Sequence, residues 1–261
     1  MAPGLLRDIL ALALGVLSGI LSGAVGVGGA IITTPGVRLL GASAFLAVGT
    51  TLPPIVVSAA VGSARYAREG LIDWRVLAAT APAGVVAVVA GSFASHAVPG
   101  EGHLLMVLTA VLLVVSAVRM VRPGSSSADA VGESGERRYS MVTAAGVGAA
   151  AGALSGLLGI GGGALLIPAY AEIMGLPLKT SIATSLACVG ILAIPGTITH
   201  AFLDDVDWRL AIFLTLGVVP GARLGARLTI AAQNRRLQLT VAVLLGGIGL
   251  LYGLGELAAL L

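Results

Sequence analysis

The stretch Gly15-Val-Leu-Ser-Gly19-Ile-Leu-Ser22-Gly23-Ala-Val-Gly26-Val-Gly28-Gly29 is answered 133 residues later by Gly148-Ala-Ala-Ala-Gly152-Ala-Leu-Ser155-Gly156-Leu-Leu-Gly159-Ile-Gly161-Gly162. Pro35 and Pro168 keep the same offset. One residue later in register, Gly49-Thr50-Thr51-Leu52 pairs with Ala183-Thr184-Ser185-Leu186, Asp73-Trp74-Arg75 with Asp207-Trp208-Arg209, and Gly91 with Gly225. An ordered series of this kind marks an internal duplication, and it sets the architecture to be expected from everything around it.

Composition says what is duplicated. Of 261 residues, 57% are hydrophobic and 10% charged, against about 25% charged in soluble domains. Too few polar residues remain to cover a soluble surface, and an unfolded chain needs the opposite balance. The chain reads as a polytopic membrane protein. The 38 glycines fit that class, because small residues let membrane helices approach closely. The net charge of +3 comes from arginines scattered singly or in pairs, which points to loops held in the cytoplasm and away from nucleic acid. Cys188 is the single cysteine, so there is no disulfide framework and no cysteine-based metal site.

Uncharged runs accommodate eight full spans, about 5–25, 42–64, 76–95, 103–121, 140–158, 179–202, 208–230 and 237–258, each near the roughly 20 residues a crossing requires. Two runs leave apolar remainders, about 28–40 and 161–174, that are too short for ordinary spans and read as half-helices. The expected fold is an all-α polytopic membrane protein of two inverted repeats. Each holds four full transmembrane helices plus one short half-helix after a glycine-rich break. Residues 1–121 form the first membrane repeat, 122–139 a cytoplasmic linker rich in serine and charge, and 140–261 the second membrane repeat. Arg7, the apolar run after it and the small residues Ser22–Ala24 look like a signal peptide, but the pattern recurs after residue 146 and is therefore structural.

Whether the halves are inverted depends on whether the short segment completes a crossing. With inverted halves and both termini outside, 11 basic residues face the cytoplasm (Arg65, Arg68, Arg75, Arg227 and Lys179 among them) against Arg7, Arg38 and Arg209 outside. Parallel halves put only nine inside. The positive-inside rule favours inversion.

Candidate binding residues sit at the breaks and near span ends. Glycine in Gly26-Val-Gly28-Gly29 and Gly159-Ile-Gly161-Gly162-Gly163 lets the backbone unwind, and the half-helix that follows presents free N–H groups and a positive dipole end to an anion. Paired discontinuous helices in two repeats point to a transporter site; close helix packing is the competing account. The tandem small-residue runs from Gly15 and Gly148 read as packing faces. The pattern from Gly159 to Ala164 also matches a dinucleotide-binding fingerprint, but without the strand that fingerprint requires. Thr50, Thr51, Thr184 and Ser185 occupy equivalent positions, where their hydroxyls serve either an oxyanion or a helix cap. Arg223 lies inside a span, either for bidentate oxyanion binding or snorkelling to the cytoplasmic surface beside Arg227. His200 carries a proton or a structural hydrogen bond. The Asp-Trp-Arg pairs read as interfacial anchors with aspartate caps. The substrate-binding set is thus Gly28, Gly29, Thr50, Thr51, Gly161, Gly162, Gly163, Thr184, Ser185 and Arg223. No catalytic constellation, metal-ligand spacing or cofactor motif is present in the sequence.

At these residues the chain resembles the TauE/SafE family of membrane transporters, sulfite or sulfonate exporters. The resemblance is carried by Gly19–Pro35, Gly152–Pro168, Ala183-Thr184-Ser185-Leu186 and Pro220-Gly-Ala-Arg-Leu-Gly225, and it covers essentially both halves. It implies a multi-pass transporter of the bacterial inner membrane for small sulfur-containing or organic anions. The expected partners are that anion and the lipid bilayer, with a homodimer compatible and nucleic acid not expected. A passive channel for anions or small solutes is the rival class. The first repeat departs from the pattern, with Ala30 where the second has Gly163 and Gly49-Thr50-Thr51 in place of Ala-Thr-Ser, so the two halves need not contribute equally.

Overall fold

The computed structural model describes residues 4–95, 140–159 and 162–232, with scattered residues between 107 and 118 and between 239 and 253. The described residues form α1 (Leu5–Val25), α2 (Ala30–Leu39), α3 (Ala44–Arg68), α4 (Trp74–Ser95), α5 (Met141–Leu158), α6 (Gly163–Pro168), α7 (Leu178–Phe202) and α8 (Trp208–Ala231). A single π-helical turn, Ala169–Ile173, continues α6. The half-helices expected at 28–40 and 161–174 are α2 and the α6–π segment. The expected linker 122–139 and most of the expected spans 103–121 and 237–258 lie outside the described residues. Among the described residues five helices are long and apolar enough to cross a membrane: α1, α3, α4, α7 and α8. α5 is shorter, at 18 residues.

Local chemistry sets the helix ends. Ser43 accepts from the Leu46 N–H at 3.3 Å, Ser140 from Thr143 at 3.0 Å, and Asp207 from Leu210 at 3.1 Å. Asp73 accepts from both Arg75 and Val76. The two aspartates are thus the expected N-caps, and the adjoining Trp74 and Trp208 stand more than half exposed. At the other ends, α1 stops at Gly26 and α5 at Gly159, both left-handed, with φ 76° and 65°. Each returns its N–H to a serine carbonyl four residues earlier, Ser22 or Ser155, at 2.9 Å. An L-residue resists that backbone and glycine does not.

The helices pack as two tight parallel pairs. Gly15, Gly19 and Gly23 of α1 lie against the backbone of Leu214, Val218 and Ala222 of α8. Gly148, Gly152 and Gly156 of α5 lie against Thr80, Gly84 and Val88 of α4. Adding 133 or 134 to each number in one series produces the other, with the halves exchanged. A Cβ at any of these six glycines would overlap a facing main-chain atom. Both stripes expected to be packing faces therefore are. Such contact is how helices associate where lipid removes any hydrophobic drive between them. α3 runs parallel to α8, since Thr50 meets Asp207 at one end and Arg65 and Arg223 line one cavity at the other. α7 runs antiparallel to α3, with Gly190 against Ala59 and Gly196 against Leu52. It runs parallel to α4, with Gly84 against Leu192 and Gly196 against Val88. α1, α3 and α8 thus point one way, and α4, α5 and α7 the other. Outward positions such as Val86, Phe93, Phe202 and Ile212 are exposed and apolar, as suits a lipid-facing surface.

Candidate functional site

The two glycine breaks meet. Gly29 and Gly162 cap α2 and α6 in left-handed conformation (φ 79° and 69°) and supply no side-chain cap to either helix. A Cβ on Gly163 would stand 2.6 Å from the Val27 Cα and 2.8 Å from the Gly26 carbonyl oxygen, so the second break lies directly on the first. That contact accounts for the departure at this position. Gly163 has no room for a side chain, whereas its counterpart Ala30 carries one and is fully buried. Each break also folds back on its own first helix, Gly29 onto Ser18 and Gly162 onto Ala151. Gly28, at φ 87°, faces the Val189 and Ile55 side chains. Gly161 lies outside the described residues.

The four hydroxyls singled out in the sequence stitch these breaks and the helix starts together. Thr50 Oγ1 accepts the Asp207 N–H at 2.8 Å, and Thr184 Oγ1 accepts the Asp73 N–H at 3.0 Å. Thr51 donates to the Gly159 carbonyl at 3.4 Å and to Val48 at 2.8 Å. Ser185 donates to the Gly26 carbonyl at 3.0 Å. All four are fully buried. Apart from the local Thr51–Val48 bond, these ties run from one half to the other, and each has its counterpart with the halves exchanged. Thr51 and Ser185 thus tie each break to the other half, and Thr50 and Thr184 tie the starts of α8 and α4. Thr33 folds back on the Gly29 carbonyl at 2.9 Å, and Thr34 reaches Thr51 at 3.5 Å.

Further buried polar groups surround the centre. His200 is fully buried, with Nε2 at 3.2 Å from the Gly156 carbonyl and Nδ1 at 2.9 Å from Asp205 Oδ2. The ring is thus held at both nitrogens, one on a main-chain carbonyl of α5 and the other on a carboxylate in the loop before α8. The equivalent of His200 is Tyr66, whose hydroxyl donates to the Gly23 carbonyl, the equivalent of Gly156. Thr80, Tyr170 and Cys188 form another buried cluster, with Thr80 Oγ1 2.8 Å from the Tyr170 hydroxyl and 3.8 Å from the Cys188 sulfur. Periodicity shows such residues only as apolar or small positions on a helix, so sequence reading passes over them. Asp8, nearly buried, binds Arg209 through both oxygens at 3.1 and 2.7 Å. Arg7 pairs with Asp207 at 3.1 Å. These pairs latch the start of α1 to the start of α8.

Arg223 stands apart from the breaks. It lines a cavity of about 490 Å³ with Arg65, Arg68 and Arg227, where α3 and α8 end together. Among the described residues no group of three His, Cys, Asp or Glu side chains is placed to hold a metal ion.

Apolar helices long enough to cross a bilayer, broken twice at equivalent glycines that touch, define a multi-pass membrane transport protein. A family model described as sulfite exporter TauE/SafE matches residues 11–252, and the chain belongs to that family. A probable membrane transporter protein of Xylella fastidiosa (strain 9a5c) is 30% identical over 82% of this chain and 82% of its own. The probable membrane transporter protein YunE of Bacillus subtilis is 26% identical over 91% and 92%. The probable membrane transporter protein MJ0441 of Methanocaldococcus jannaschii is 23% identical over 90% and 91%. No solved structure matches the chain.

Proposed function

We propose that the protein is a secondary transporter that exports small sulfur-containing or organic anions, such as sulfite or sulfonates, across the bacterial inner membrane. The observation that carries this reading is the contact of Gly163 with Gly26 and Val27, which joins two discontinuous helices at the middle of the bundle. Substrate is bound there when the halves part. The N–H groups after Gly28–Gly29 and Gly161–Gly163 then face the anion, and the Thr51 and Ser185 hydroxyls, freed from the Gly159 and Gly26 carbonyls, donate to it. Thr50 and Thr184 work at the two ends as latches, one per end.

The two halves are inverted with respect to one another. Support comes from helix direction: α1 and its equivalent α5 run opposite ways, as do α3 and α7, and α4 and α8. Rocking of one inverted half against the other exposes a fixed central site to each side in turn. Residues 1–121 and 140–261 are the rocking units, and 122–139 is their cytoplasmic connection.

The test is flux in proteoliposomes of the purified protein for sulfite, sulfoacetate, thiosulfate and sulfate, with and without a pH gradient. Saturable flux that accelerates with the gradient supports a coupled carrier. Unsaturable flux that ignores it makes the protein a channel, and no flux of any sulfur anion refutes the substrate class.

A further inference from the structure

Four arginines converge at one end of the molecule. Arg65 and Arg68 are three apart in the last turn of α3, and Arg223 and Arg227 four apart on α8. Because α3 and α8 run parallel, the two pairs share one cavity of about 490 Å³, whose remaining wall is small apolar residues of α3. One acid stands by: Glu69 meets Arg65 at 2.7 Å. Arg68, Arg223 and Arg227 have no ion-pair partner among the described residues, and the buried Arg65 Nε has no hydrogen-bond acceptor. Like charges one helical turn apart repel, so the arrangement asks for an anion.

Two ordinary accounts of such arginines fall short. Basic residues complement a helix C-terminus, which explains Arg65 and Arg68. It does not explain Arg223, eight residues before the end of α8, or about 12 Å along the axis. A packing role would be repeated by the duplication, as the glycine stripes and hydroxyl ties are. The equivalents of Arg65, Arg68, Arg223 and Arg227 are Thr199, Phe202, Val89 and Phe93. The basic set belongs to one end only.

We propose that this cavity binds a small sulfur or phosphorus oxyanion between the α3 and α8 guanidinium groups. Planar guanidinium donors match such oxygens bidentately. Its place on the export path, as the cytoplasmic collecting point ahead of the glycine breaks, rests on the transporter reading; the binding itself does not. Two sources carry this chemistry, a free anion and the phosphate of an anionic lipid.

The experiment uses the full chain purified in uncharged detergent. Sodium sulfite and sodium sulfate are titrated at constant ionic strength with thermal unfolding as the readout, and retained phosphatidylglycerol is measured by native mass spectrometry. Arg223→Gln and Arg227→Gln are compared with Arg75→Gln, which removes the same charge at the same end but outside the cavity. The expected result is anion binding roughly 10- to 100-fold weaker in the first two variants, with Arg75→Gln like wild type. Loss of phosphatidylglycerol from those variants alone, without small-anion binding, identifies the lipid as the occupant and keeps the site. Wild-type binding of both ligands in Arg223→Gln and Arg227→Gln overturns the proposal, as does a wild-type protein that binds neither. Flux separates the two readings. Arginine-dependent binding without transport sinks the transporter reading alone, and normal transport with unaltered binding in the variants sinks the cavity alone.

Discussion

Replacing Thr184 by valine should open one end of the molecule and leave the other shut. Thr184 Oγ1 is the acceptor for the Asp73 N–H at 3.0 Å, and Thr50 plays the same part for Asp207 at 2.8 Å. Valine keeps the shape and removes the acceptor. The Asp73 and Asp207 amides are partly buried, so opening lets water replace the lost bond. One neutral hydrogen bond contributes about 1 kcal/mol, which shifts an open–closed equilibrium about fivefold. Reporters are supplied by the duplication. Ala47 and Ser181 are equivalent, fully buried, and one turn before Thr50 and Thr184. Cysteines placed there are read by the rate of maleimide labelling, with the buried Cys188 as background. Thr184→Val should speed labelling of Ser181→Cys about fivefold and leave Ala47→Cys unchanged, and Thr50→Val should do the reverse. If either valine moves both reporters equally, or neither, the hydroxyls are not end-specific latches and the alternating mechanism loses its support.

Three further outcomes test the architecture. Glu69→Cys should be labelled by an impermeant reagent only from the cytoplasm and Asp204→Cys only from outside, because inverted halves put these loops on opposite faces; labelling from one side for both restores parallel halves. Gly152→Ala should destabilise the protein by about 1–3 kcal/mol through overpacking against the Gly84 carbonyl, whereas Gly146→Ala on the same helix meets nothing within 4 Å and should gain up to about 1 kcal/mol in helix propensity, both read by chemical unfolding in detergent. Gly163→Ala should cut flux per folded molecule by pushing the second break off Val27, while Ala30→Gly leaves flux near wild type; equal flux in Gly163→Ala would remove the break contact from the mechanism.

Much of this was legible in the sequence, for a physical reason. Duplication converts one pattern into two independent readings, so the offsets that align Gly15 with Gly148 and Thr50 with Thr184 also identify which residues occupy matching places in the bundle. Hydropathy located the spans that become α1, α3, α4, α7 and α8, and the glycine clusters located where α1 and α5 stop, because glycine takes the left-handed backbone at Gly26 and Gly159 without strain. What stayed hidden was partner choice. Helix periodicity shows that Gly19 and Gly152 line a close face, but not that α1 pairs with α8 and α5 with α4 across the halves. Thr50 and Thr184 stood out as hydroxyls, yet a hydroxyl that accepts a distant N–H looks in sequence like one awaiting an anion. Asp8 resembles an ordinary first-turn acid until Arg209, 201 residues away, is placed beside it.

Where the two halves agree, the residues build the frame, and where they disagree they mark what makes the two ends different. Gly163 against Ala30 settles which break comes into contact through its bare backbone. His200 with Asp205 against Tyr66 gives one half an imidazole–carboxylate pair and the other a single hydroxyl at the matching place. The arginine quartet against valine, threonine and two phenylalanines gives one end a cluster of four positive charges that the matching positions at the other end lack. A symmetric frame exposes its centre equally well to either side, so it has no direction of its own. Direction in such a molecule has to come from these departures. An anion collected by Arg65, Arg68, Arg223 and Arg227 at one end meets no matching quartet at the other, where Arg7 and Arg209 are already paired with Asp207 and Asp8, and release there is favoured.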